Sequence, residues 1–247
     1  DKHELKDAFE RCQSEALAFF GLGDVYVEEF LPRARHIEVQ ILGDASGSIV
    51  HFGDRECSVQ RRNQKLVEVA PAPNLAPSLR ERMTSAAVSF AQQEKYMSLG
   101  TFEFLVLDKG VEEDRSTGSA TEDHFVFIEA NARLQVEHTV TEEVTGFDLV
   151  RGQIAVAFGS SLTDLGLDAQ APPALSGFAI QARVNLETIT ADGGVRPGSG
   201  RLVRYEPPNG PGVRTDGFGY VGYKTSIAYD SLLAKVIVHE RSSNFSD

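Results

Sequence analysis

The sequence predicts an α+β fold in which a mixed or antiparallel sheet is combined with a few helices. Apolar and polar side chains alternate strictly over residues 35–43, and the turn residues 44–47 lead into a second strand over 48–53, which is typical of an antiparallel hairpin. Apolar residues recur every three or four positions over residues 3–20 and 77–95, which predicts two amphipathic helices. No internal repeat and no strong linker divides these segments.

The remaining elements follow from shorter apolar runs and from the turn residues between them. We expect the polar side chains of the first hairpin strand, His36, Glu38 and Gln40, to face water, as in a half-buried antiparallel strand. The polar segment 109–123 is predicted to be a mobile surface insertion. The other predicted elements are strands at 24–31, 100–108 and 124–131, a helix at about 141–158, and strands at 177–186, 201–206, 212–216 and 232–239.

Composition and charge exclude several classes of protein. The 247 residues carry a formal net charge of −12, which argues against a general nucleic-acid binder. No apolar run reaches the about 18 residues of a membrane span. The two cysteines cannot form a disulfide framework, which favours a reducing compartment. The sequence has no Walker A motif, zinc-binding spacing or Ser-His-Asp order, so it gives no support for nucleophilic hydrolysis.

Acidic side chains on two predicted strands form the first chemical signal. Glu103 leaves the strand opposite its phenylalanine neighbours, and Glu129 and Asn131 share a face because they are two residues apart. If the two strands pair, these side chains meet, and two carboxylates with an amide oxygen suit Mg²⁺ or Mn²⁺. Because magnesium usually takes its other ligands from phosphate and water, a nucleotide is indicated. The alternative is two carboxylates on a wet sheet face.

The segment NARLQVEH, which begins at the end of the second strand, carries another signal. Arg133, Gln135 and Glu137 alternate after Asn131, which places these side chains on one side of an extended chain. An arginine that faces the same cavity as a carboxylate can bind a small anion, and a glutamate there can serve as a general base. The alternative is a partly exposed strand with surface salt bridges.

Two further groups of polar residues are candidate anion sites. Residues 60–65 (QRRNQK) hold three cations in an acidic protein, and phosphate, carboxylate and bicarbonate are all candidate ligands. Arg183 alternates with Gln181 and Asn185 on a strand that otherwise looks like core, and a buried arginine needs a partner. The alternatives are a solvated surface for residues 60–65 and an edge strand with one wet face around Arg183.

Several longer blocks occur in a fixed order between Val25 and about Lys235. They are VYVEEFL, ARHIEVQILGD, DRECSVQRRNQK followed by APAP, GTFEFL, IEANARLQVEH with TEEVTG, QARVN and YDSLLAK. Together they resemble the biotin carboxylase component of biotin-dependent carboxylases, which are ATP-grasp enzymes. The resemblance covers nearly the whole chain, and an ordered set of blocks is far more specific than any single motif above.

The resemblance implies an ATP-grasp C-terminal subdomain, with a mainly antiparallel sheet plus helices, followed by the start of the biotin carboxylase C-terminal domain. On this basis residues 1–30 are a remnant of the ATP-grasp lid, 31–160 the catalytic subdomain and 161–247 an incomplete C-terminal domain. The sequence lacks an initial methionine and the glycine-rich lid loop of the family. We therefore expect a fragment, truncated at both ends, with little or no activity alone.

The resemblance also implies the reaction and its components. ATP and bicarbonate form carboxyphosphate, and the carboxyl group passes to N1′ of biotin on a carrier protein, with Mg²⁺ or Mn²⁺ as the metal. The implied partners are a biotin carboxyl carrier domain, a carboxyltransferase and a second copy of the chain, without nucleic acid or membrane. The implied location is the cytoplasm, or the mitochondrial matrix in a eukaryote. The segments RVNLET and YEPPNGPGVR favour an acyl-CoA carboxylase of the multidomain, single-chain type.

Individual roles are implied by matching positions. The bicarbonate pocket corresponds to Lys65, Arg133, Gln135, Val136 and Glu137, with Glu137 as the base, and the arginine beside biotin corresponds to Arg183. The ATP site corresponds to Glu28, Glu29, Leu31, His36, Gln60, Glu103 and Glu129, and the metal ligands to Glu103 and Glu129 beside Asn131.

Two alternatives remain open. One is another ATP-grasp ligase of the carbamoyl-phosphate-forming type, which shares the metal carboxylates but uses ammonia or an amine. Arg183 and residues 60–65 discriminate, because a biotin pocket needs both. The other is a non-catalytic, self-associating fragment.

Overall fold

The computed structural model divides the chain into two units, Asp1–Arg33 and Ala34–Asp247. The residues it describes are 4–107, 124–191, 194–226 and 230–246. The predicted surface insertion at 109–123 lies outside the described residues.

The first unit contains one helix, α1 (Leu5–Phe20), as the apolar spacing predicts. The helix ends at Gly21, whose φ of +75° is the left-handed conformation that glycine adopts without a Cβ clash. The predicted strand at 24–31 is wrong, because these residues form no regular structure. A short apolar run alone does not make a strand, because the backbone groups of a strand need a partner strand, and the described residues of this unit contain none.

The second unit is built on an eight-stranded sheet in which every neighbouring pair is antiparallel. The spatial order is β5-β4-β1-β2-β3-β6-β10-β9, and β7 pairs with β8 in a separate small sheet. The strands are β1 (Ala34–Gly43), β2 (Ile49–Arg61), β3 (Gln64–Ala70), β4 (Ser98–Leu107), β5 (His124–Asn131), β6 (Phe178–Asn185), β7 (Glu187–Ile189), β8 (Val195–Pro197), β9 (Val213–Gly217) and β10 (Leu232–Glu240).

Helices cover the sheet. They are α2 (Pro77–Gln93), α3 (His138–Thr145) and α4 (Leu149–Ala157), with a short 3₁₀ turn at Thr163–Leu165. The predicted single helix at 141–158 is therefore two helices, because Gly146 adopts a left-handed φ of +68° and Asp148 caps the next helix by accepting from the Arg151 backbone N–H at 2.8 Å. The described helices are all too short or too polar to span a bilayer.

The two faces of β1 are both buried, which corrects one expectation. Ile37 and Ile41 pack with Leu79 and Met83 of α2 in the main apolar core, as the periodicity predicts. The polar face does not contact water: the side chains of Glu38 and Gln40 are 0% and 1% exposed. The reason is that α3 packs over this side of the sheet, where Thr141 accepts a hydrogen bond from the buried Arg55 at 2.9 Å.

Other differences concern short strands. β3 was not predicted because its first residues, Gln64 and Lys65, end the charged run 60–65, which resembles a loop. β7 and β8 were too short for a periodic pattern. The predicted strand at 201–206 is wrong: in the described chain this segment contributes only an isolated bridge between Arg201 and Lys224. The strands predicted at 177–186, 212–216 and 232–239 are confirmed as β6, β9 and β10.

Two glycines with nearly equal φ values test how tightly the chain before β6 packs against the end of β10. Gly177 (φ +66°) has the carbonyl oxygen of Glu240 at 1.9 Å from the place a Cβ would take, whereas Gly146 (φ +68°) has no atom within 4 Å. We expect Gly146→Ala to lower the free energy of unfolding by about 1 kcal/mol, from the left-handed backbone alone. Gly177→Ala should cost about 1–3 kcal/mol more, because the backbone must also move.

The measurement is urea unfolding of both variants beside the parent chain. Equal losses in the two variants would contradict the packing at Gly177.

Candidate active site

A cavity of about 340 Å³ opens within the Ala34–Asp247 unit. It is lined mainly by polar and charged side chains: His36, Asn63, Gln64, Lys65, Glu103, Glu129, Asn131, Arg133, Gln135, Val136, Glu137, Arg183, Asn185, Asp230, Ser231 and Leu232. The predicted bicarbonate, metal and biotin-contacting residues therefore lie around one cavity, although they are far apart in sequence.

Strand pairing brings the acidic residues together. Glu103 of β4 lies directly opposite Glu129 of β5 and, on its other side, opposite Glu38 of β1. The predicted pairing of the two acidic strands is thus confirmed, and directly opposed residues on antiparallel strands have side chains in contact distance. Such an array of carboxylates is stable only if cations neutralise it.

Cations and carboxylates alternate from the core to the cavity, and we call this series the charge chain: Arg55, Glu38, Lys65, Glu137, Arg183 and Glu68. Its inner part starts at Arg55, which is fully buried and donates through Nε to Glu38. The other Arg55 donors reach Gln40 Oε1 at 2.8 Å and the hydroxyls of Thr141 and Thr101 at 2.9 and 3.3 Å. Arg55 is therefore held by one carboxylate and several neutral acceptors.

Lys65 is the centre of the charge chain. Its Nζ lies 2.5 Å from Glu38 Oε2, 2.7 Å from Glu137 Oε1 and 3.1 Å from Glu103 Oε1. Burial by itself would lower the pKa of Lys65, but the charge of Glu38, with those of Glu137 and Glu103, raises it well above its usual value. The ammonium is therefore permanently charged and holds three carboxylates at one side of the cavity.

The outer part of the charge chain ends at a buried carboxylate. Glu137, which follows the segment after β5, has Oε2 at 3.1 Å from Arg183 Nη2, and Arg183 Nε lies 2.6 Å from Glu68 Oε1. Glu68 also accepts from Gln181 Nε2 at 2.8 Å. Burial raises the pKa of Glu68, and the nearby Glu137 adds to this, whereas Arg183 opposes it. The predicted edge-strand alternative for Arg183 is wrong, since β6 lies between β3 and β10.

Glu103 is the most highly hydrogen-bonded carboxylate in the cavity. Its Oε1 accepts from Gln135 Nε2 at 2.8 Å and from Asn131 Nδ2 at 2.9 Å, and its Oε2 contacts His36 Nε2. Burial raises the pKa of Glu103, but the His36 hydrogen bond, the Lys65 charge and the Gln135 hydrogen bond together lower it to about 2. The carboxylate is therefore ionised at any physiological pH.

The three predicted metal ligands, Glu103, Glu129 and Asn131, lie next to one another. Asn131 Nδ2 lies 2.9 Å from both Glu103 Oε1 and Glu129 Oε1, so its amide occupies the space between the two carboxylates. Rotation of the amide by half a turn would present Oδ1 there instead. Two carboxylates and an amide oxygen are hard donors, and Glu129 is exposed to the cavity side, so the set fits Mg²⁺ or Mn²⁺ with further ligands from a nucleotide.

Two side chains after β5 have hydrogen-bonding groups without a close partner among the described residues. Arg133 donates only long bonds, 3.2 Å to the Leu134 carbonyl and 3.4 Å to Asn131 Oδ1, and no carboxylate in the described chain pairs with it. Gln135 Oε1 is buried and accepts no hydrogen bond from the residues that the structure describes. A buried acceptor without a donor costs free energy, so this atom indicates a ligand that carries a donor. Val136 adds a carbonyl that accepts from Lys235 Nζ at 2.7 Å.

Only some of the predicted ATP-binding residues lie at the cavity. Gln60 Nε2 contacts His36 Nδ1 at 2.8 Å and also donates to the Cys57 carbonyl, so it supports His36 and is absent from the described lining of the cavity. Glu28, Glu29 and Leu31 belong to the separate Asp1–Arg33 unit, so their role as an adenine hinge stays a prediction.

Three residues of the charge chain were not predicted from the sequence as site residues: Glu38, Arg55 and Glu68. Glu38 carried a usable signal, because it alternates with His36 on a strand whose other face is apolar. Glu68 carried a similar signal, because it lies between Val67 and Val69. Arg55 carried none, since a charged residue within a mixed run is usually exposed.

Comparison with known proteins gives two family matches. The family described as carbamoyl-phosphate synthase L chain, ATP binding domain, matches residues 1–165, and the biotin carboxylase C-terminal domain matches residues 181–245. A curated relative, the mitochondrial pyruvate carboxylase of Homo sapiens, is 48% identical over 237 residues, which is 96% of this chain and 19% of the relative.

Solved structures are similar over the same span. The biotin carboxylase domain dimer of the Hydrogenobacter thermophilus 2-oxoglutarate carboxylase, in complex with MgADP, ADP and bicarbonate, has a TM-score of 0.85 at 38% identity and covers 98% of this chain and 49% of that one. A single-chain, multi-domain long-chain acyl-CoA carboxylase has a TM-score of 0.77 at 44% identity and covers 88% of this chain and 22% of that one. The chain thus spans about half of a solved biotin carboxylase domain and about a fifth of the curated relative.

The depressed pKa of Glu103 predicts how stability depends on pH. Because the folded-state pKa of about 2 lies below the ordinary 4.5, ionised Glu103 stabilises the fold fully above pH 4.5, and this stabilisation is lost as the pH falls toward 2. Between pH 6 and about pH 3.5, the parent chain should lose roughly 1–2 kcal/mol more of its free energy of unfolding than Glu103→Gln does.

Urea unfolding at the two pH values measures this difference. Glu206→Gln is the control, because Glu206 is an exposed carboxylate that pairs only with Arg204 among the described residues. Equal pH sensitivity of the parent and Glu103→Gln would rule out the proposed environment of Glu103.

Proposed function

The chain belongs to the biotin carboxylase family of ATP-grasp proteins, and from this premise we propose that its cavity carboxylates biotin with ATP and bicarbonate. The observation that carries the proposal is the position of Glu137, whose carboxylate contacts Lys65 at 2.7 Å and Arg183 at 3.1 Å at the wall of the cavity. A base is thereby held beside two cations that can receive an anionic substrate.

Bicarbonate binds between Arg133 and Glu137 in this proposal. The Arg133 guanidinium has no carboxylate partner in the described chain and offers paired N–H donors that suit a carboxylate-like anion. Gln135 Oε1, a buried acceptor without a donor among the described residues, lines the same cavity, and the bicarbonate hydroxyl donates to Glu137. Glu137 then removes this proton, and the resulting oxyanion attacks the γ-phosphorus of ATP to give carboxyphosphate and ADP.

The phosphates of ATP are held on the acidic side of the cavity. Glu103 and Glu129 with the amide of Asn131 would hold Mg²⁺ or Mn²⁺, which neutralises phosphate charge when bound. His36, fixed by Gln60 at 2.8 Å, lies beside Glu103 and contacts the nucleotide. We assign the adenine contacts to Glu28, Glu29 and Leu31 by family position alone.

The second step transfers the carboxyl group. Carboxyphosphate breaks down to CO₂ and phosphate, and the phosphate removes the proton from N1′ of biotin. Negative charge then develops on the ureido oxygen of biotin as N1′ attacks CO₂ to form carboxybiotin. Arg183 stabilises this oxygen through its guanidinium N–H groups, as preorganised donors do at other developing oxyanions. Lys65 stabilises the anionic species near Glu137 in the same way.

Domains and partners follow from the family, as proposals. We assign 1–30 to the lid, 31–160 to the catalytic subdomain and 161–247 to the C-terminal domain, and we propose a biotin carboxyl carrier domain, a carboxyltransferase and a second copy of the chain as partners. The dimeric H. thermophilus domain supports the last. We propose a cytoplasmic location or, in a eukaryote, the mitochondrial matrix, and the mitochondrial human relative supports the second of these.

The final carboxyl acceptor is a separate proposal. The segments RVNLET and YEPPNGPGVR favour an acyl-CoA as the acceptor, and a long-chain acyl-CoA carboxylase is 44% identical to this chain. The human relative, at 48% identity, is a pyruvate carboxylase. The acceptor is bound by the carboxyltransferase, so an assay of acceptor-dependent ADP formation in the complete carboxylase decides between them. Because the chain spans about half of a solved biotin carboxylase domain, we also propose that it turns over little alone.

The carbamoyl-phosphate-type ligase is the second candidate, and the description of the ATP-binding family favours it. It needs the metal carboxylates but not Arg183. The match of residues 181–245 to a biotin carboxylase domain, which includes Arg183, supports the first candidate instead.

Replacing the base tests the first step. In the complete carboxylase, Glu137→Gln should reduce bicarbonate-dependent ATP cleavage at least about 100-fold, because the amide cannot accept the bicarbonate proton. Lys65 and Arg183 each keep another carboxylate partner, so the variant should still fold. The assay is ADP release with and without bicarbonate. Glu56→Gln, which removes a carboxylate paired with Arg35, is the control, and retained activity in Glu137→Gln would exclude Glu137 as the base.

Replacing the arginine tests the second step and separates the two candidates. Arg183→Lys keeps a positive charge beside Glu68 but removes the planar guanidinium. We expect carboxybiotin formation to fall about 100-fold while bicarbonate-dependent ATP cleavage changes little. Both are measured on the same preparation with free biotin. If carboxybiotin formation is unaffected, Arg183 does not stabilise the biotin oxyanion. If the parent carboxylase forms no carboxybiotin, the ligase without a biotin pocket becomes the better assignment.

A further inference from the structure

We infer that Glu68 is a positioning residue that fixes the Arg183 guanidinium for the carboxyl-transfer step. The inference rests on the proposed function, in which Arg183 contacts the ureido oxygen of biotin. Glu68 is 0% exposed and is absent from the described lining of the cavity, so it acts on the substrate only through Arg183.

Glu68 is built into the sheet by several hydrogen bonds. It lies on β3 directly opposite Gln181 of β6 and accepts from Gln181 Nε2 at 2.8 Å. The amide of Gln181 is oriented by Thr139, whose hydroxyl donates to Gln181 Oε1. The N–H₂ group of Gln181 must therefore point to Glu68, and only an oxygen acceptor fits there.

Two donors on the same edge of the Arg183 guanidinium have different partners. Nε donates to Glu68 at 2.6 Å, and Nη2 donates to Glu137 at 3.1 Å. In the proposed reaction Glu137 takes up a proton, which weakens its attraction for Arg183. Glu68 is remote from the substrate and takes no part in this proton transfer, so it holds Nε while Nη2 can leave Glu137 and donate to biotin.

An amide in place of Glu68 would break this arrangement. In Glu68→Gln, the new N–H₂ group faces either Arg183 Nε or Gln181 Nε2, and both are donors. Arg183 would then be attracted mainly to Glu137. We expect the loss to appear in carboxyl transfer, where a displacement of about 1 Å can cost up to about 100-fold.

Asp54 offers a matched control. It is a buried carboxylate, 2% exposed, that accepts from Arg80 Nε at 2.7 Å and from the Ala72 backbone N–H at 3.0 Å. Asp54→Asn therefore removes one buried charge from a similar arginine pair in the same unit, but outside the described cavity lining. A general effect of destabilisation should appear in both variants.

The experiment compares both variants in the complete carboxylase. For Glu68→Gln we expect the ratio of carboxybiotin formed to ATP cleaved to fall about tenfold and the KM for free biotin to rise, with bicarbonate-dependent ATP cleavage within about threefold of the parent. Asp54→Asn should keep the parent ratio. Glu68→Asp, which keeps the charge, should restore part of the ratio, and it replaces Glu68→Gln if that variant does not fold.

Combination with Arg183→Lys completes the test. Glu68→Gln should lower the ratio no further in the Arg183→Lys background, because the two residues act through one contact. The inference is overturned if ATP cleavage and carboxybiotin formation fall in parallel, if Asp54→Asn lowers the ratio equally, or if the two losses add. Failure of Arg183→Lys itself to lower the ratio would instead reject the proposed function.

Discussion

The neutralisation of buried charge is the constraint on which this structure depends. Arg55, Glu38 and Glu68 are fully buried, and a buried charge is tolerated only when it is paired and hydrogen-bonded. The charge chain meets this condition by alternation, since Lys65 and Glu137 each lie between two opposite charges. The strands that carry these residues must keep their register, because a shift of one residue would turn a side chain to the other face. One requirement therefore fixes both the sheet and the cavity wall.

An irregularity in the pairing of β2 with β3 allows cations and carboxylates to alternate along the charge chain. Lys65 and Glu68 are three residues apart, so a regular strand would direct them to opposite faces. In β3, however, Lys65 lies opposite Gln60 while Val67 lies opposite Val59, which leaves Leu66 as an extra residue. Such a bulge re-aims the side chains that follow it, and bulges are common beside active sites. It allows one short strand to supply both the cation at the centre of the charge chain and the carboxylate at its end.

The sequence was sufficient for most of the residues that line the cavity, although not for Asp230, Ser231 and Leu232, and it was insufficient for those behind the cavity. Alternation over residues 35–43 and the spacing of Glu129 and Asn131 give the correct faces, because the two-residue repeat is a local property of a strand. The same alternation gave the wrong environment for Glu38, since burial of its face is due to α3, which is distant in sequence. The bulge at Leu66 depends on pairing between strands, and no local pattern predicts it.

The position of Glu137 in the charge chain suits a group that must change its charge. If Glu137 is protonated, Lys65 still contacts Glu38 and Glu103, and Arg183 still contacts Glu68. No buried cation is then left without a carboxylate, so the cost of an uncompensated charge does not arise. Glu38 is in the opposite situation, because its neutralisation would leave Arg55 with only neutral acceptors among the described residues. The arrangement therefore separates Glu137, whose neutralisation leaves Lys65 and Arg183 paired, from Glu38, whose charge balances the buried Arg55.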